Sequence, residues 1–177
     1  RRNMPIEARM NSEKWLQVRK TVDWLSTQLP VPSQYQIYTF NNETLALLPG
    51  TEGAWLEVAD EPQLTSAIAQ LGQTVPAEGT NLEKLFTAIK QMNPLPDNIF
   101  LITDGLPTLG SRGSNQGTIS GRDREELFSR ALRDLPPGIP VNVILSPLEG
   151  DPMAASMYWQ LAITTGGSLL SPSSDWP

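Results

Sequence analysis

Asp104 is the residue of this chain best placed to do chemistry. It lies in the stretch Asn98–Thr108, where Ile99, Phe100, Leu101 and Ile102 run without alternation into Thr103, Asp104 and Gly105, with Pro107 following. A continuous apolar run closed by turn residues reads as a strand buried on both faces of a parallel sheet. Open sheets of that kind take ligands beyond the carboxyl ends of their strands. A carboxylate at that place suits a hard cation or the cationic group of a partner. It also suits a plain turn, since Asp before Gly is a turn former in its own right.

Other chemistries are excluded by what is absent. There is no histidine and no cysteine, so Cys/His zinc sites, thiolate nucleophiles, disulfides and a Ser-His-Asp triad are ruled out, and only oxygen ligands remain. The net charge of −6 argues against nucleic acid as a partner, because phosphate binding needs clustered Lys and Arg. Arg1, Arg2 and Arg9, and again Arg122 and Arg124, are interspersed with acids and read as solvated surface. Glycines at 110, 113, 117 and 121 resemble a phosphate cradle only in composition. No Lys-Ser/Thr follows them and the stretch does not open directly into a helix. Residues 108–121 are therefore expected to be a long flexible loop, a mobile rim open to partner contact. Of the tryptophans, Trp15 is expected in the core and Trp24 partly exposed.

Elements that would position Asp104 follow from periodicity. Residues 1–11 read as an irregular lead-in and 12–177 as a single domain. Ser12 precedes Trp15, Val18, Val22, Leu25 and Leu29 at helical spacing, and Pro30 and Pro32 stop that helix. Tyr35–Phe40 is a β-rich run, with weaker strands at Thr44–Leu48 and Ala54–Val58. Helices are expected over Glu61–Leu71 and from Leu82, with Leu85, Phe86 and Ile89 on one face. After the Asn98–Asp104 strand come a helix near Asp123, a buried strand at Val141–Leu145, a helix over Met153–Thr164 closed by Gly166-Gly167, and an edge strand at Ser168–Ser171. Helices alternating with apolar strands mean an α/β fold with a mostly parallel sheet. No apolar stretch approaches the roughly 20 residues of a membrane span, and no secretory signal opens the chain. The chain does not begin with Met and is expected to be a fragment of something longer.

In order along the chain stand an amphipathic first helix, Thr39-Phe40-Asn41 ending a strand, Gly79-Thr80-Asn81-Leu82 opening a helix, Leu101–Gly105, and Leu161-Ala162 with Thr165-Gly166-Gly167. This succession resembles the von Willebrand factor A domain, a three-layer Rossmann-like fold with a metal-ion-dependent adhesion site. Arg1–Met4, Lys14-Trp15, Thr21–Leu25 and Asp97–Pro107 are similar, more narrowly, to envelope-anchored bacterial members, in which a membrane segment precedes the domain.

The resemblance implies a non-enzymatic protein-interaction module, of adhesion or scaffolding type, binding magnesium and an acidic group of a protein partner. It implies Thr80 and Asp104 as metal ligands. The family's Asp-x-Ser-x-Ser and the first, central strand that carries it are absent from this chain, so magnesium is expected only if an upstream segment supplies them. Read from the residues alone, Thr80 is a helix N-cap, with Glu83 completing a capping box, and Asn81 is able to share that role. The alternatives are a Rossmann-like hydrolase or phosphotransferase using Asp104, and a structural domain without a metal site.

Overall fold

The computed structural model describes residues 4–77, 79–110, 119–146, 151–173 and 176. The chain divides into two compact units, Arg1–Glu78 and Gly79–Trp176.

The first unit holds α1 (Ile6–Met10), α2 (Glu13–Gln28), β1 (Gln34–Tyr35), β2 (Tyr38–Phe40), β3 (Thr44–Ala46), β4 (Leu56–Glu57) and α3 (Glu61–Gln73). The lead-in expected to be irregular thus contains a short helix, started behind Pro5, whose fixed φ fits a helix entry. Its β-rich run from Tyr35 to Phe40 is not one strand. The side chain of Gln36 takes the Ile37 N–H at 2.8 Å and donates to the carbonyls of Thr51 at 2.6 Å and Ala54 at 2.9 Å. That diversion ends the ladder, and two antiparallel pairs form instead, β1 with β4 and β2 with β3. Apolar side chains from these elements make two clusters. Tyr35, Leu56 and Val58 pack with Leu29, Ile37 and Leu64, while Leu47, Ala67 and Leu71 pack with Trp15 and Val22. Trp15 is therefore a core contact, and Trp24 is 39% exposed.

The second unit holds α4 (Leu82–Lys90), β5 (Ile99–Thr103), α5 (Gly121–Ala131), β6 (Val141–Leu145), α6 (Ala154–Thr165) and β7 (Leu169–Leu170). Its three strands form one parallel sheet in the order β5-β6-β7, with Leu101 opposite Val143 and Val143 opposite Leu169. Alternation sorts the side chains onto two faces. Ile99, Leu101, Val141, Val143 and Leu145 are buried on one face, whereas Phe100 and Leu170 on the other are 47% and 42% exposed. The helices bring their own apolar stripes: Leu82, Leu85, Phe86 and Ile89 from α4, Phe128 and Ala131 from α5, Tyr158 and Leu161 from α6. Phe128 meets Tyr158 edge to face, with ring centres 5.1 Å apart. The α/β class and the parallel sheet match the sequence reading, and the antiparallel pairs of the first unit were not foreseen. Among the described residues, no helix is long and apolar enough to cross a membrane.

Two adjacent glycines close α6 for different reasons. Gly166 has φ 77°, the left-handed C-cap, with open space around its α-carbon. Gly167 lies against the backbone of Val141 at the start of β6, where a Cβ would overlap the Val141 carbonyl. Strain at Gly166→Ala is therefore local, about 1–2 kcal/mol. Gly167→Ala must push a helix end off the central strand, and an overpacking loss of about 3 kcal/mol or more is expected. Urea unfolding of the two variants checks this order, with Gly167→Ala the less stable.

Candidate functional site

Two loops meet beyond the carboxyl end of β5, and short-range chemistry explains how. One loop is Gly79-Thr80-Asn81 ahead of α4. Asn81 is the N-cap: its Oδ1 accepts from the Lys84 N–H at 3.1 Å. Thr80 sits one residue before the cap, so the hydroxyl expected to cap the helix is not used for it. Among the described residues the Thr80 hydroxyl has no hydrogen-bond partner. Asn81 is fully buried, and its Nδ2 is likewise unpartnered. Gly79 is at φ 91°, a backbone conformation that favours glycine, and a Cβ there would meet the tip of the Leu109 side chain.

The second loop runs from Asp104, half-buried directly after β5, through Gly105, Leu106 and Pro107, which are buried. Thr108 stitches it to the first. The Thr80 N–H donates to Thr108 Oγ1 at 3.0 Å, and the N–H groups of Thr108 and Leu109 both donate to the Thr80 carbonyl at 3.0 Å. The structure therefore brings together the loops of Thr80 and Asp104, the two residues the sequence singled out. Thr108, which had little in the sequence to support a place here, is what joins them.

Three further residues fix the Asp104 loop from elsewhere in the unit. The Tyr158 hydroxyl donates to the Gly105 carbonyl at 2.9 Å, and the Thr103 hydroxyl donates to the same oxygen at 3.2 Å. Asp151 Oδ2 accepts from the Leu106 N–H at 2.8 Å and from Arg124 at 3.1 Å. The Asp151 side chain is 2% exposed and that of Arg124 is 22% exposed, so Arg124 is a buried-pair partner and not the solvated surface its sequence context suggested. A carboxylate just past an apolar strand was the available signal for Asp151, but nothing local marked Leu106, 45 residues away, as its target. Burial pushes the pKa of the Tyr158 phenol well up, the charges of Asp151 and Asp104 push it the same way, and the Thr103 hydroxyl opposes them. Glu78, residues 111–118 of the glycine-rich loop and residues 147–150 lie outside the described residues.

Magnesium asks for near-octahedral oxygen ligation, with one or two carboxylates supported by hydroxyls and waters. Thr80 and Asp104 offer one hydroxyl and one carboxylate. Among the described residues no group of three or more acidic side chains gathers to hold a metal. The residues present do not by themselves fit a magnesium site.

Neither a protein-family model nor a curated protein matches the chain in sequence. In structure it is similar to a von Willebrand factor type A from Catenulispora acidiphila, with a TM-score of 0.59 and 12% identity, covering 91% of this chain and 40% of that one. The likeness is one of fold: the chain has a von Willebrand factor A-like α/β architecture. It spans well under half the length of the structure it matches.

The buried phenol of Tyr158 gives the site a signature in alkali. A pKa raised on folding contributes stability that is complete below the unfolded value of about 10 and is lost as pH rises above it. Between pH 10 and 11 wild-type stability is expected to fall by about 1 kcal/mol more than that of Tyr158→Phe. Urea melts at pH 10 and 11 measure the difference, and equal slopes would contradict the assignment.

Proposed function

We propose that the chain is a protein-interaction module that uses the joined Thr80 and Asp104 loops as its contact surface. The observation that carries this reading is the stitch through Thr108, which sets a half-buried carboxylate loop beside an unpartnered hydroxyl at the carboxyl end of a parallel strand. Ligands gather at such ends in open α/β sheets. A non-enzymatic role is favoured by the side chains available, because the sequence has no histidine or cysteine to pair with a nucleophile.

In this reading Thr80 and Asp104 are what these residues retain of a metal-ion-dependent adhesion site. The missing oxygens would come from an Asp-x-Ser-x-Ser segment ahead of Arg1, carried on a strand that adds beside β5, which is at the end of the strand order among the described residues. An acidic group of a protein partner is the ligand expected there. The energetic case for that strand is simple. About four to six buried apolar residues at ~1.5–3 kcal/mol each amount to roughly 10 kcal/mol, comparable with the whole stability of a domain, about 5–15 kcal/mol. The resemblance to envelope-anchored bacterial proteins supports a place in the cell envelope, held by a membrane segment outside these residues.

Calorimetry and melting on two chains test the reading. Residues 1–177 alone are expected to give no magnesium heat. The chain extended through the upstream residues of its reading frame is expected to melt higher and to bind magnesium, with affinity falling at least about tenfold in Asp104→Ala. Equal melting temperatures would remove the added strand, and magnesium binding indifferent to Asp104 would remove the site. Phosphatase or nucleotidase turnover lost in Asp104→Ala would replace the module by an enzyme.

A further inference from the structure

Asp151 lies two residues before Met153, the N-cap of α6, which makes no side-chain capping bond. Its carboxylate crosses to the loop after β5 and takes the Leu106 N–H, two residues beyond Asp104. A carboxylate that is 2% exposed is costly unless paired. Arg124 in α5 provides the counter-charge on the same oxygen, at 3.1 Å. Three segments of the second unit thus converge on one carboxylate oxygen: the Asp104 loop, the first turns of α5 and the approach to α6.

We propose that Asp151 is a positioning residue for Asp104: it fixes the loop at the Leu106 N–H, and Arg124 holds it in place. Tyr158 and Thr103 hold the Gly105 carbonyl from the other side of the same turn. The backbone on the carboxyl side of Asp104 is therefore bound at two consecutive residues before any ligand arrives. Without Asp151 the Leu106 amide has no acceptor and the turn can reorient, carrying Asp104 with it. Tyr158 and Thr103 hold only the Gly105 carbonyl and leave the Leu106 amide unanchored. The proposal rests on the reading of the Asp104 loop as the contact surface. Its test is made on the unbound protein, so loss of partner binding does not enter the result.

Amide hydrogen exchange by NMR, on the protein with its natural flanking sequence, is the experiment. The reference is the Val143 amide in β6, which donates to the Ser168 carbonyl at 2.7 Å and reports the unit as a whole. In Asp151→Ala, exchange at Leu106 is expected to speed up at least about tenfold more than at Val143. In Asp151→Asn, which keeps an acceptor oxygen, Leu106 is expected to return to within about threefold of wild type. A common factor at both amides would make Asp151 a support of the whole unit, and an unchanged Leu106 would remove its role; either overturns the proposal. Should Asp151→Ala not fold, the amide proton shift in Asp151→Asn decides. Leu106 is expected to move most among residues 104–110, and a stationary Leu106 overturns the proposal.

Discussion

Buried backbone has to be hydrogen-bonded, and in this chain that requirement falls on a loop. Gly105, Leu106 and Pro107 leave β5 without reaching the surface, so their peptide groups cannot turn to water. Among the described residues the ladder with β6 closes at Ser146, whose N–H donates to the Thr103 carbonyl at 2.9 Å. Partners therefore arrive from a distance: a phenol from α6 for the Gly105 carbonyl and a carboxylate from before it for the Leu106 N–H, while the Thr80 carbonyl, ahead of α4, takes the Thr108 and Leu109 N–H groups that follow. Each of these contacts answers an unmet backbone group, and together they decide where the Asp104 loop lies.

That origin explains which parts were legible in the sequence. Val141–Leu145 was readable to the residue because a mostly apolar run bounded by prolines is a local pattern. α4 and α6 announced themselves by spacing and by the turn residues at their ends. Ser120, read as ordinary loop, closes a capping box with Asp123 and starts α5 two residues early. Tyr35–Phe40 misled because its β-propensity is real, while the break depends on one glutamine side chain finding two carbonyls at residues 51 and 54. The placement of Asp104 directly after β5 was legible because an apolar run meets turn residues there in sequence. Asp151, Arg124 and Tyr158 were not, since their partners lie 45, 27 and 53 residues away.

The competition at Thr80 shows how a single position can be read two ways and resolved by its neighbour. A Thr followed three residues later by Glu is the pattern of a capping box, and Asn is at least as good a cap as Thr. Once Asn81 takes the Lys84 N–H, α4 starts at Leu82 and the Thr80 hydroxyl is released from helix duty. Thr80 is still held, but by its backbone: its N–H and its carbonyl both go to the Asp104 loop. The result is a fixed main chain carrying an uncommitted side chain, which is the combination a ligand-contacting hydroxyl needs.

Preorganisation then separates the position of Asp104 from whatever it contacts. A metal site usually draws its ligands into place as the ion binds, because like-charged or unpaired oxygens do not gather unaided. Here the anchors are a neutral phenol, an amide paired to a carboxylate, and main-chain bonds to Thr80, none of which needs an ion. The buried carboxylate of Asp151 is balanced by Arg124. The Asp104 loop is thus held to the Thr80 loop and to the rest of its unit by bonds among the chain's own residues.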